Sequence, residues 1–236
     1  MHTPSPLAST SAGSLRLLTN DDLPAAADVF ARAFDIDPVV SLLLPDDAAR
    51  ARFARWMGEV SIRAALPYAS VWGVEAAGEL AGLAVWHPPS VVPGSVGDTL
   101  ALLRGVPAVL PALVRMSPRF VLVAGFEPCR LRRLVLAQAR ARAEAGAGPA
   151  WHLAYLAVAP EHQGNGYARL LLDHVLDRCD EDGTAAWLET TDPSNPARYE
   201  RFGFQTVRQV HHGRRLPGLW VMRREPHGVG PLTRVD

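Results

Sequence analysis

The sequence contains no lysine: all 24 basic residues are arginine. That excludes an enzyme working through a lysine Schiff base, and a GxxxxGK-Ser/Thr phosphate loop, because both need the amine. Cysteine is nearly absent. Cys129 and Cys179 are too few and too far apart for a disulfide scaffold or a structural zinc site. Neither charge is in excess, with 24 acidic residues against 24 basic ones, so nothing marks a nucleic acid or an anionic membrane as partner. No apolar run reaches the roughly 18 residues of a spanning helix; the zone 106–116 is broken by Pro107, Pro111 and Arg115. Residues 1–14 lack both a basic n-region and an apolar h-region, which reads as a loose tail on a cytoplasmic protein.

What is present is apolar material, 48% of 236 residues, enough for a full core and too much for global disorder. Residues 15–18 read as a strand. Thr19 to Asp22 offer N-cap groups, and Leu23, Ala26, Ala27, Phe30 and Phe34 recur at helical spacing up to about Asp35–Pro38. A second helix is expected over 46–65 with Phe53, Trp56, Met57 and Val60 on one face. Residues 68–75 and 80–87 read as a hairpin turning at 76–79. Residues 90–148, Gly/Pro-bounded and Leu/Ala/Arg-rich, read as a helical insertion. Then come a strand (151–158), a helix (166–180), a strand (185–190), a short helix (196–202) and two strands (205–212, 219–223), before a loose tail at 225–236. Strands alternating with helices predict an α/β protein, one domain over 15–224.

Chemistry concentrates in Val158-Ala159-Pro160-Glu161-His162-Gln163-Gly164-Asn165-Gly166-Tyr167-Ala168. A strand stops at a proline, turns through two glycines and enters a helix. Such a turn lets backbone approach a ligand, and first-turn amides with the helix dipole form an anion site. Gln163, Gly166 and Ala168 fit Gln/Arg-x-x-Gly-x-Gly/Ala. A second stretch follows at a matching distance: Trp187-Leu188-Glu189-Thr190, then Asn195, Tyr199 and Gly203-Phe204. Over residues 150–225 the chain resembles the GNAT superfamily of N-acetyltransferases. Its long insertion and its 151–156 strand resemble the puromycin-acetyltransferase-like branch.

The resemblance implies a GNAT fold, a mixed twisted sheet of about seven strands flanked by helices, with a helical insertion before the central strand. It implies acetyl-CoA as co-substrate and no metal. Amides of Gln163, Gly164, Asn165, Gly166, Tyr167 and Ala168 would cradle the pyrophosphate. Backbone groups of Leu156 and Val158 would hold the pantetheine and thioester, Asn195 would touch the cofactor, and Tyr199 would protonate the departing thiolate. Beside those roles, Tyr199 could pack on Phe204 and Asn195 could cap the short helix. For the base, Glu189 is the candidate, since a carboxylate beside an apolar neighbour gains proton affinity; Tyr155 and His152 are alternatives, as is a structural Glu189 paired to an arginine. Asp35 and Asp37 read as substrate-facing acids or solvated loop residues. His211 and His212 cannot share an ion from a regular strand, where neighbours face opposite ways.

The expected reaction is direct transfer of acetyl to a primary amine of a small molecule, without a covalent intermediate, as neither cysteine is near the motif and no GxSxG elbow exists. A non-catalytic acyl-CoA-binding sensor and an acetyltransferase acting on a protein amine are the alternatives. No nucleic acid or membrane partner is expected, and a homodimer is left open.

Overall fold

The computed structural model describes residues 13–35, 46–68, 70–90, 144–145, 149–211 and 218–228. Among these, seven strands form one sheet in the order β1-β2-β3-β4-β5-β7-β6. They are β1 (Ser14–Leu17), β2 (Val71–Ala76), β3 (Glu79–His87), β4 (Ala150–Val158), β5 (Ala185–Thr190), β6 (Gln205–Val210) and β7 (Leu219–Arg224). The helices are α1 (Leu23–Phe34), α2 (Asp47–Ala65), α3 (Tyr167–Glu181) and α4 (Asn195–Glu200), with short 3-10 turns beside them. All neighbours pair antiparallel except β4 with β5, which are parallel. The α/β reading and the mixed, helix-flanked sheet hold.

Each helix sits where its apolar stripe has sheet to cover. On one face α3 buries Leu171, Leu172, Val175, Leu176 and Cys179 against Trp86, Trp151, Leu153 and Leu188. On the other, α1 and α2 bury Val29, Ile62 and Ala65 against Leu83, Val85 and Ala157. The 3-10 turn Asn20–Asp22, which leads directly into α1, is fixed by a capping box between Thr19 and Asp22. Arg16 of β1 also donates to both Asp22 oxygens, at 2.9 and 2.7 Å, and that guanidinium holds the Asp22 carboxyl well below the usual carboxylate range.

The packing face of α2 differs from the one its large residues predict. Its buried positions are Ala54, Gly58, Ile62 and Ala65, while Phe53, Trp56, Met57 and Val60 are half-buried. The reason is close approach: a Cβ on Gly58 would fall 2.7 Å from the Phe30 ring. Small residues, not large ones, let α2 lie on α1.

The β2–β3 turn is made by Ala77 and Gly78, both with positive φ (53° and 83°), the pattern of a two-residue type I′ hairpin. Alanine is strained there by about 1 kcal/mol. We expect Ala77→Asn, which tolerates this backbone, to raise Tm by about 2–4 °C for a chain of this size; thermal unfolding of the variant checks it.

Several expected boundaries shift. β2 begins at Val71 because Leu66–Tyr68 continues α2 as a 3-10 turn. Gly166 caps α3 in place of starting it. β6 ends at Val210, so His211 lies past the strand, and His212 lies outside the described residues. So do Asp37, Cys129 and the insertion, apart from Ser90, Glu144 and Ala145. Among the described residues no helix is long and apolar enough to cross a membrane, and no group of three or more His, Cys, Asp or Glu could hold a metal.

Candidate active site

The centre of the sheet opens. β4 pairs with β5 from Ala150↔Ala185 to Leu153↔Leu188, and the pairing stops there. Beyond it β4 continues to Val158, held by β3 alone. At the same place the β3–β4 register slips, between Val85 and Trp86, so one extra residue bulges from β4 and bends it. The two strands thus part as a wedge.

The exposed edge of β4 has a definite chemistry. The Ala159 amide donates to the Ala81 carbonyl at 2.9 Å. Bonded and non-bonded residues alternate along an antiparallel pair. Leu156 and Val158, opposite Ala84 and Gly82, therefore turn their N–H and C=O groups away from β3 and into the wedge. The Val158 carbonyl accepts a bond from the Gln163 side-chain amide at 3.3 Å.

The mouth of the wedge carries the glycine turn. Pro160–His162 is a 3-10 turn, and Gly164 and Gly166 follow at φ 83° and 82°. The Asn165 side chain donates to the His162 carbonyl at 3.0 Å, tightening the loop on itself. Amides of residues 164–168 have no acceptor among the described residues; those of Tyr167 and Ala168 are the orphan donors of a helix start. A Cβ built on Gly164 or Gly166 meets nothing within 4 Å, so the space above these amides is open. The Tyr167 ring is buried in the core, which leaves only its amide for a ligand. An anion lying across this turn would meet several N–H groups and the positive end of a 15-residue helix. The donor set fits a pyrophosphate without any lysine.

On the α3 side of the wedge, Asn195 donates to the Thr190 hydroxyl at 2.9 Å, joining α4 to β5. Ser194, at the N-cap, makes no side-chain cap bond. Tyr199 is half-buried and meets Phe204 edge-on, ring centroids 5.9 Å apart. Burial pushes its phenol up to about 12, against a small opposing effect of Arg198. The phenol therefore stays protonated through the ordinary pH range.

The α1–α2 side is different in character. Glu189 is half-buried, on the Trp187 face of β5. Across the wedge stands Tyr155, whose phenol bonds to Ser61 of α2; burial raises its pKa, and so does the Glu189 charge. Phe30 and Phe34 of α1 flank that ring, with centroids at 4.9 and 5.9 Å. His152 stacks on Trp187 at 3.9 Å, and His87 lies behind it at 5.7 Å. Asp35 is paired to Arg50 at 3.1 Å. The amide cradle and Tyr199 thus lie towards one face, and a carboxylate close to Tyr155 towards the other. Ser61 and the Phe34–Tyr155 contact escaped sequence reasoning, because no local spacing signals a meeting between α2 and β4.

Residues 115–204 match the Acetyltransferase (GNAT) family. An uncharacterized N-acetyltransferase of Schizosaccharomyces pombe is 35% identical over 79 residues, 32% of this chain and 32% of that protein, so the match spans about a third of the relative's length. Among solved structures, a histone acetyltransferase HPA2 and related acetyltransferase from Corynebacterium glutamicum superposes with TM-score 0.59 at 21% identity, over 92% of this chain and 97% of that one. A polyamine N-acetyltransferase of Drosophila melanogaster gives 0.56 at 14%, over 90% and 99%. The Thermoplasma acidophilum PaiA N-acetyltransferase, solved with coenzyme A, gives 0.53 at 10%, over 91% and 99%. At such identities the likeness is one of fold. Motif, family match and sheet topology agree: residues 115–204 are similar to the GNAT acetyltransferase family, and the described sheet has the fold of these N-acetyltransferase structures.

Proposed function

We propose that the chain transfers an acetyl group from acetyl-CoA to a primary amine of a small molecule. The observation that carries this reading is the wedge: the open edge of β4 beside the unpaired amides of the glycine turn. Acetyl-CoA would supply an acetyl group activated as a thioester. Amides of residues 164–168 hold its pyrophosphate, the Gln163 amide being taken by the Pro160 carbonyl at 3.3 Å, and Leu156 and Val158 offer backbone N–H and C=O to the pantetheine and thioester carbonyl. Asn195 braces the cofactor side of the wedge. Tyr199 donates a hydrogen bond to the sulfur as negative charge develops there. A thiol ionises near 8.5 in model compounds, well below this phenol, so its proton is shared with the sulfur more readily than surrendered.

The acceptor amine enters from the α1–α2 face, where Glu189 takes its proton directly or through water; Tyr155 and His152 are its neighbours, not its rivals, in this reading.

Glu189→Gln tests the base. A general base contributes about 10²- to 10⁴-fold, so kcat/KM at pH 7 should fall by at least about 10². An alkylamine titrates near 10.4, so the deficit should shrink as the pH approaches 10 and the amine arrives neutral. A deficit independent of pH would make Glu189 structural.

A further inference from the structure

We propose that Arg224 and Asp180 are positioning residues for Tyr199, acting through the turn that follows α4. The inference rests on the role given above to the Tyr199 phenol. α4 has six residues, too short to hold its own orientation. What fixes it is the turn behind it. The Tyr199 carbonyl accepts from the Phe202 amide at 2.9 Å and from the Phe204 amide at 3.3 Å, and the Gly203 amide donates to the Glu200 carbonyl at 3.0 Å.

That turn is in turn held by one guanidinium. The Arg224 side chain, 5% exposed, donates through Nε to the Phe202 carbonyl at 2.9 Å. Its two terminal nitrogens donate to the two Asp180 oxygens at 2.8 and 2.6 Å. The His227 amide donates to Asp180 Oδ1 as well, at 2.5 Å. Such a fork is geometrically exacting, and lysine cannot reproduce it. Gly203 seals the arrangement: its φ is 85°, and a Cβ there would stand 3.0 Å from His227 Nε2 and 3.4 Å from Arg224 Nε.

Asp180 belongs to the last turn of α3, the helix whose first turn offers its amides at the wedge. Arg169, in that first turn, lies over the Phe202 ring, 5.6 Å from its centroid. One rigid helix therefore reaches the Tyr199 turn from both of its ends. The phenol and the amide cradle are set on the same body, so a donor to the sulfur keeps its place relative to the bound pyrophosphate. A shift of about 1 Å in such a group costs as much as 10²-fold in rate.

The test is Arg224→Lys, with Asp180→Asn as the milder partner should the first fold poorly. In either variant kcat should fall by about 10- to 10²-fold while KM for acetyl-CoA stays within about twofold. In a Tyr199→Phe background the same substitution should cost nothing more, because the group it positions is gone. Amide exchange of Phe202 and Phe204 should quicken while amides in the middle of α3 keep their protection. Additive losses in the double variant, an unchanged kcat, or unchanged exchange at Phe202 and Phe204 would each overturn the proposal. If the unaltered chain acetylates no amine, the transfer reading falls by itself, and the exchange measurement still decides whether Arg224 and Asp180 fix the Tyr199 turn.

Discussion

Replacing Tyr199 with phenylalanine should lower kcat by about 10²- to 10³-fold and leave the Kd for acetyl-CoA within about twofold. The loss corresponds to about 2.7–4.1 kcal/mol of barrier at 1.36 kcal/mol per tenfold. The ring remains, so its edge-on contact with Phe204 is kept and stability should barely move. The hydroxyl acts where charge develops, on the sulfur as the tetrahedral intermediate collapses, so its removal is felt in the transition state and not in cofactor binding. The pH profile carries a second expectation. With the phenol at about 12, its deprotonation cannot produce a falling limb below about pH 11. Any such limb seen between pH 8 and 10 should persist in the variant. A loss of melting temperature with kcat intact would return Tyr199 to a packing role.

Gly166→Glu should raise the Kd for acetyl-CoA by at least about 10²-fold, equal to about 2.7 kcal/mol, in a protein that still folds. Three effects combine. A side chain at φ 82° is strained by about 1–2 kcal/mol. A Cβ there meets no protein atom within 4 Å, so its intrusion is into the space above the amides, where the phosphates would lie. The carboxylate then places negative charge at the positive end of α3, competing for the same N–H groups and repelling the ligand. Partial neutralisation of the helix dipole offsets some of the strain, which is why folding should survive. Gly166→Ala separates the terms: it carries the strain and the bulk without the charge, and its Kd should lie between the two. Calorimetry on both variants checks this, and near-native affinity in a folded Gly166→Glu protein would remove the glycine turn from the cofactor site.

What could be read from the chain was whatever lies close in sequence. The strand, glycine turn and helix over 150–181 are continuous, so an apolar run, a proline stop and a Leu-rich stripe locate them to within a residue. The cradle is legible for the same reason. Its neighbours are not: the parting of β4 from β5 depends on where inter-strand bonds cease, and no pattern inside either strand records that. The packing face of α2 is harder to read, because large residues dominate an apolar pattern, whereas close contact at Phe30 needs a small one, Gly58. Asp180 and Arg224 are 44 residues apart, and each alone looks like an ordinary charge at the end of its element. Only the tertiary fold brings them under the carbonyl of Phe202.

The central claim, acetyl transfer from CoA to an amine, is tested most directly by mixing the purified chain with acetyl-CoA and each of a set of small primary amines, aromatic ones included, while following free thiol. The account predicts CoA release that requires both protein and amine, with one N-acetylated amine formed per thiol. Release no faster than without protein for every amine, or release that proceeds equally well with no amine present, would contradict it.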